Sequence, residues 1–419
     1  MTDFRKLSIF MTGLACVISV GCGGGSSPAK TNAITPSGQN IAPISVNLGP
    51  GASQGVTYAN GAFASVTVCV PGTSTCQTID GILVDTGSSG LRILSSALTI
   101  SLPQQNAPNS NPVAECLTFL GSYTWGPVKT ADVQIAGEKA GAVPIQVLSD
   151  TAFPVPGGCT SSGMTSADTL TTLGANGILG VGPFAQDCGN APACVTTGSA
   201  GFYYECPPTP PCTATGEALA QQVVNPVVLF PSDNNGVIIE LPAVSASAAT
   251  VSGSLVFGIG TQSNNGLGAA TVYAMDPGTF SFTVKYNGSS YPGSFIDSGS
   301  NAYFFLDSTT SGLTDCTSGS NAQGFYCPTT TKSFTASNEG VNGTSGTVTF
   351  SVANAQNLFA SGNDAAFSQL GGPSITGTPS ASNPVFFDWG LPFFYGRNVY
   401  TAIEGATAPG GTAPYWAYQ

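Results

Sequence analysis

One heptapeptide occurs twice. Leu83-Val84-Asp85-Thr86-Gly87-Ser88-Ser89 is answered 212 residues later by Phe295-Ile296-Asp297-Ser298-Gly299-Ser300-Asn301. Each copy runs two large apolar residues, an aspartate, a small hydroxyl residue, glycine and serine. A second signal follows each copy: Ile178-Leu179-Gly180 places a glycine 95 residues after Asp85, and Trp389-Gly390 places one 93 after Asp297. Both lead into apolar segments, Val181-Gly182-Pro183-Phe184 and Leu391-Pro392-Phe393. A lone Asp-Thr-Gly has the composition of an ordinary turn. Two copies, each behind an apolar strand and each followed at matching distance by an apolar-Gly element, imply two homologous lobes.

Composition limits how those lobes are built. Of 419 residues, 9 are Lys or Arg and 21 Asp or Glu, so 7% are charged, against about 25% in an ordinary globular chain. Coiled coils and charge-laced helical bundles need far more Glu and Lys. With 54 Gly and 30 Pro, turns and strands are favoured. Short β-branched runs recur at 64–70, 78–84, 131–135, 227–230, 236–241, 254–258, 280–286 and 346–352, and 217–224 is the best short helix. The pattern is that of an all-β protein with insertions.

Charge and residue types also exclude functions. A net charge of -12 leaves no basic stripe for phosphates, so nucleic acid is not an expected partner. There is no histidine. That removes Ser-His-Asp and Cys-His catalytic sets, H-E-x-x-H zinc sites and His-ligated haem. Carboxylates are then the natural acid-base groups, and neither cofactor nor metal is expected.

Residues 1–21 carry Arg5 and Lys6 before an apolar run shorter than the about 20 residues a spanning helix needs, which reads as a signal peptide. Its end, Ile18-Ser19-Val20-Gly21-Cys22, resembles a bacterial lipoprotein box that would lipidate Cys22. Ordinary secretory cleavage nearby is the alternative. Gly23 in place of Asp after the cysteine suggests, by analogy with enterobacterial lipoproteins, an outer-membrane or periplasmic-side location. Residues 22–42, rich in Gly, Ser, Pro and Asn, read as a flexible tether. Ten cysteines remain beyond Cys16 and Cys22, an even number that argues for disulfides in an exported chain. Cys69 with Cys76, Cys316 with Cys327, and a local cluster from Cys188 to Cys212 are the expected pairings; no C-x-x-C spacing supports a metal site.

An aspartate at the end of a buried strand is held by its neighbours, and the glycine beside it admits another backbone. If the lobes face each other, Asp85 and Asp297 become adjacent. Two adjacent carboxyls share one proton, so one can deprotonate water while the other protonates a carbonyl. On these motifs the chain resembles the pepsin-type aspartic proteases over roughly residues 55–405, and more narrowly a group of bacterial exported proteins related to pepsin. The resemblance implies a bilobal double β-barrel with the cleft between lobes at 43–263 and 264–419. It also implies a peptide or protein substrate in that cleft and a monomer attached to membrane only through its lipid. Asp85 and Asp297 would hold the water, Thr86 and Ser298 would cross-link the loops, and Ser88 and Ser300 would hydrogen-bond the carboxylates. Gly87 and Gly299 complete the motifs, and Gly180 and Gly390 support them.

The family also closes an aromatic-bearing hairpin over substrate. The segment 119–126 is the best candidate, with Phe119 nearest the expected position and Tyr123 or Trp125 as alternatives; an aromatic hairpin packed on the core is the other reading. Asp388 stands where the family has an aliphatic residue, as a third carboxyl or a turn cap, the cap being favoured. No inhibitory propeptide is recognisable. A pepsin-like module that binds peptide or glycan without chemistry is therefore the competing expectation.

Overall fold

The computed structural model describes residues 14–15, 38–119, 121–160, 164–374 and 386–419. The first lobe is built on β1 (Ile41–Asn47), β2 (Gly61–Cys69), β3 (Cys76–Asp85), β4 (Ser89–Leu94), β5 (Val113–Thr118), β6 (Ser122–Ile135), β7 (Glu138–Leu148), β8 (Gly177–Val181), β9 (Gly236–Leu241) and β10 (Val251–Phe257). The second is built on β11 (Phe282–Tyr286), β12 (Ser289–Ile296), β13 (Tyr303–Phe305), β14 (Lys332–Glu339), β15 (Ser345–Val352), β16 (Phe387–Trp389), β17 (Arg397–Ala402) and β18 (Tyr415–Tyr418). Helices are short turns of about one winding, in keeping with the scarcity of helix-forming charged residues.

The lobes share one antiparallel sheet. In it β1 pairs with β10, β10 with β9, β9 with β17 and β17 with β18, so strands from both ends of the chain lie side by side. β1 opens at Ile41, inside the segment read as tether, because Asn40 is buried and its amide donates to the Phe257 carbonyl at 3.0 Å. One apolar core runs through both lobes and includes Val84, Leu179, Val237, Ile296 and Trp389. In the second lobe it is aromatic: Trp389 packs on Tyr303, Phe350, Phe387 and Phe393 with ring centroids 5.1–5.8 Å apart, and its indole donates to Asn338 at 3.0 Å. Burying each such ring contributes about 2–3 kcal/mol.

Two expected elements differ. Residues 227–230 are not a strand: Pro226–Leu229 is a 3-10 helix, started by Pro226 and capped by the Asn225 side chain, which accepts from the Val227 N–H at 3.1 Å. The expected helix at 217–224 shrinks to the 3-10 turn Leu219–Gln221, with Gln222 already extended. The disulfides Cys69–Cys76 and Cys316–Cys327 form as expected, and the local cluster resolves into Cys188–Cys194 and Cys206–Cys212. Cys116–Cys159 closes a separation of 43 residues that no local spacing announced. Among the described residues no helix is long and apolar enough to cross a membrane; Cys22 and most of the signal segment lie outside them.

Candidate active site

The repeated motif is a repeated piece of geometry. β8 slots between β3 and β4, parallel to the first with Gly180 in register with Asp85, and antiparallel to the second with Gly180 in register with Gly90. In the second lobe β16 slots between β12 and β13 in the same way, with Trp389 in register with Ile296 and Tyr303. Each motif turn therefore hangs over an inserted strand, which explains the two later glycines. A Cβ on Gly180 would lie 2.7 Å from Ser89 backbone, and one on Gly390 only 2.1 Å from the Ala302 carbonyl oxygen. Backbone cannot yield as a side-chain tip can. Gly390→Ala is expected to cost about 2–3 kcal/mol, read as a lowered melting temperature.

The two turns lock onto each other reciprocally. The Thr86 N–H donates to Ser298 Oγ at 3.1 Å, the Ser298 N–H donates to Thr86 Oγ1 at 2.9 Å, and Ser298 Oγ donates to the Val84 carbonyl at 2.8 Å. Asp85 Oδ1 accepts from the Gly87 N–H at 2.8 Å and its Oδ2 from Ser88 Oγ at 2.5 Å. Asp297 is held alike, by the Gly299 N–H at 2.8 Å and by Ser300 Oγ at 2.8 Å. Both carboxyls are fully buried. A Cβ on Gly299 would meet Asp85 Oδ1 at 2.6 Å and Asp297 Oδ1 at 3.2 Å, so the two Oδ1 atoms converge on one point that only glycine leaves open.

Burial acts on both carboxyls in the same direction. Burial raises the pKa of Asp85, against which the bond with Asp297, the Ser88 and Gly87 donors and the Arg92 charge all pull downward. Asp297 is pushed well above the usual range by burial, then by the charges of Asp85 and Asp388. Two buried carboxyls this close share a proton between them.

Arg92 was not among the residues the sequence singled out. It lies on β4 fully buried, with guanidinium donors on Ser89 O (2.7 Å), Glu115 Oε1 (2.7 Å) and Asp187 Oδ2 (3.1 Å). Tyr203 donates to Asp187 Oδ1 at 2.6 Å and accepts the Val223 N–H at 2.7 Å. Arg92 thus props the carbonyl of the residue that closes the first motif. The available signal was a cation between Leu91 and Ile93 in a strand with no exposed position. Tyr58 was missed as well: its buried hydroxyl has no hydrogen-bond partner and its pKa is raised by burial and by the charges of Asp85 and Asp297, which places it in their field.

The flap candidates sit on the β5–β6 hairpin, where Thr118 pairs with Tyr123 and Cys116 with Trp125. Phe119 is buried in a cluster with Leu83 and Tyr58. Tyr123 and Trp125 pack instead with Tyr204 and the Cys116–Cys159 bridge, and the Trp125 indole donates to the Phe153 carbonyl at 2.8 Å. Asp388 is not a turn cap. It lies within β16, fully flanked by β12 and β13, and its Oδ2 lies 2.6 Å from Ser300 Oγ.

Other buried acids set a pH dependence of stability. Burial lifts Asp168 to about 6 and Glu217 to about 7. A carboxyl raised in the folded state stabilises fully below its unfolded pKa, near 4, and that contribution is lost as pH rises through the folded value. The melting temperature is therefore expected to be several degrees higher near about pH 4 than near about pH 8. A flat or rising profile over that window would contradict the assignment. Protonation also leaves little positive self-repulsion, since the chain has few cations and no histidine.

Fold and site together define a pepsin-like, bilobal all-β protein. The solved structure of the aspartic proteinase from Irpex lacteus is similar, with a TM-score of 0.53 and 16% identity, covering 90% of this chain and 96% of that one. The chain belongs to the family described as "Protein of unknown function (DUF3443)", whose sequence model matches residues 36–418. A search of curated proteins returns no match.

Proposed function

We propose that the chain is an aspartic endopeptidase. The observation that carries this reading is the convergence of Asp85 Oδ1 and Asp297 Oδ1 beside Gly299, two buried carboxyls held by matching donors from two lobes. A scaffold that only binds does not require that pair. The ionised carboxyl of the pair takes a proton from a water; the water oxygen attacks the peptide carbonyl, whose oxygen receives the proton of the other carboxyl. Collapse of the tetrahedral species passes a proton to the leaving nitrogen. Neither histidine nor a covalent intermediate is needed. A pocket lined by Tyr58, Ala59, Asn301, Phe325 and Phe367 adjoins the second motif and suits an apolar or aromatic side chain of the substrate.

Pepstatin, whose hydroxyl imitates the tetrahedral species, tests the reading without a known substrate. A saturating concentration should raise the melting temperature at acid pH, by the ligand-linkage effect, and fail to do so for Asp85→Asn. Absence of any shift in the folded wild type would overturn the proposal. The second reading, a module that binds peptide or glycan without cleaving it, draws on one observation: Phe119, Tyr123 and Trp125 are all buried in packing, at 8% exposure or less.

The N-terminal segment supports export and anchoring through a lipid on Cys22, with the globular part facing the periplasmic side of the outer membrane. Wild type is then expected to partition into detergent, and Cys22→Ser into the aqueous phase or to remain unprocessed. A wild type recovered in the aqueous phase would favour simple secretion.

A further inference from the structure

The two lobes differ in the inserted strand of the repeated geometry. In the first, the inserted strand carries Ile178, in register with Leu83 and Arg92. In the second, the equivalent position is Asp388, in register with Phe295 and Phe304. Asp388 is 1% exposed, and its Oδ1 is buried without a hydrogen-bond partner. Its Oδ2 lies 2.6 Å from Ser300 Oγ, which lies 2.8 Å from Asp297 Oδ2.

A serine hydroxyl has one hydrogen. With both flanking carboxyls ionised, Ser300 could donate to only one, and the other contact would set an oxygen lone pair against a carboxylate oxygen. The conflict disappears when one carboxyl carries a proton and donates it to Ser300 Oγ. Asp388 is the group placed to do so, because an unpartnered buried oxygen suits a neutral acid far better than an anion. The first lobe has no such conflict: Ser88 sits on Asp85 Oδ2, and the inserted strand carries Ile178 in place of a third acid.

Among the described residues, the groups around Asp388 offer nothing to neutralise a charge. β12 and β13 present Phe295 and Phe304, and the titratable groups that face it are Asp297, through Ser300, and Asp85, whose charge acts on it. Tyr303, next on β13, is held neutral by burial, its pKa pushed up to about 12. Arg397, near Tyr303, is turned to the Phe393 ring and carbonyl. None of the ion pairs among the described residues includes Asp388.

We propose that Asp85, Asp297, Ser300 and Asp388 form one proton-sharing unit, in which Asp388 is a positioning residue that stays protonated, donates to Ser300 Oγ and so directs the single Ser300 hydrogen onto Asp297 Oδ2. An ionised Asp388 would instead compete with Asp297 for that hydrogen and would set a further charge beside the pair. The catalytic consequence rests on the endopeptidase reading; the shared protons do not.

Two variants test it: Asp388→Ile, which gives the second lobe the residue of the first, and the near-isosteric Asp388→Asn, which guards against a folding failure. Asp388→Ile removes the donor to Ser300 Oγ, whereas the amide of Asp388→Asn can still donate to it. Infrared difference titration of the protonated carboxyl stretch, from about pH 3 to about pH 8, should show buried neutral carboxyls persisting near neutrality in wild type. In both variants part of that absorption is gone. With Ser300 no longer directed onto Asp297, the alkaline limb of kcat/KM for peptide cleavage should move upward by about half a pH unit or more in Asp388→Ile and stay near its wild-type place in Asp388→Asn. Undiminished infrared absorption near neutrality in both variants overturns the proposal. So does a uniform loss of activity at every pH with the limb of Asp388→Ile unmoved, which is what a merely structural residue would give. If the infrared result holds and no peptide is cleaved, the shared-proton unit stands and the endopeptidase reading falls.

Discussion

Asp85→Asn and Asp297→Asn are each expected to lower kcat/KM for peptide cleavage by at least about 10³-fold, and the double variant to be little worse than either. Each carboxyl is half of one acid-base unit, so removing the base or the acid stops the same step. Folding should survive, because the amide retains an oxygen to accept from the Gly87 or Gly299 N–H. Near neutral pH the variants should melt no lower than wild type, since a buried carboxyl with a raised pKa is replaced by a neutral group. Melting curves beside the kinetic measurement separate lost chemistry from lost structure. Substantial cleavage by both single variants would rule out the dyad.

Arg92→Met is expected to be among the most destabilising single changes in the molecule, at about 3–5 kcal/mol. It leaves Glu115 and Asp187 buried without their counter-ion and removes the donor to the Ser89 carbonyl. Asp187 already stands well above the usual carboxyl range through burial and the charge of Glu115. The penalty should therefore shrink at acid pH, where Asp187 is neutral. Chemical denaturation at two pH values checks the sign. Adding Glu115→Gln and Asp187→Asn to the variant should recover part of the loss, since the cost lies in uncompensated charge rather than in the missing side chain. A penalty independent of pH would show that packing, and not charge, is what Arg92 supplies.

What the sequence made legible were features with local spacing. The motifs at Asp85 and Asp297, the glycines at 180 and 390, and bridges such as Cys69–Cys76 all lie within windows where residue type and separation carry the information. The hidden features depend on what the fold brings from afar. Arg92 meets acids 23 and 95 residues away, and Cys116 finds Cys159 only after the hairpin has turned its face. Asp388 was legible as an anomaly but not as a partner of Ser300, because a turn cap and a third carboxyl share one sequence and differ only in strand insertion. At 227–230 the apolar run overstated strand, since Asn225 and Pro226 dictate a capped 3-10 turn whatever follows.

The central claim, that two lobes pool one aspartate each to hydrolyse peptides, is met most directly by purified protein incubated with a diverse peptide pool between about pH 3 and about pH 7, with fragments identified by mass spectrometry. Internal cleavages, most abundant in acid, suppressed by pepstatin and absent with Asp297→Asn, are the predicted result. Intact peptides at every pH from a protein shown to be folded, or equal cleavage by Asp297→Asn, would contradict it.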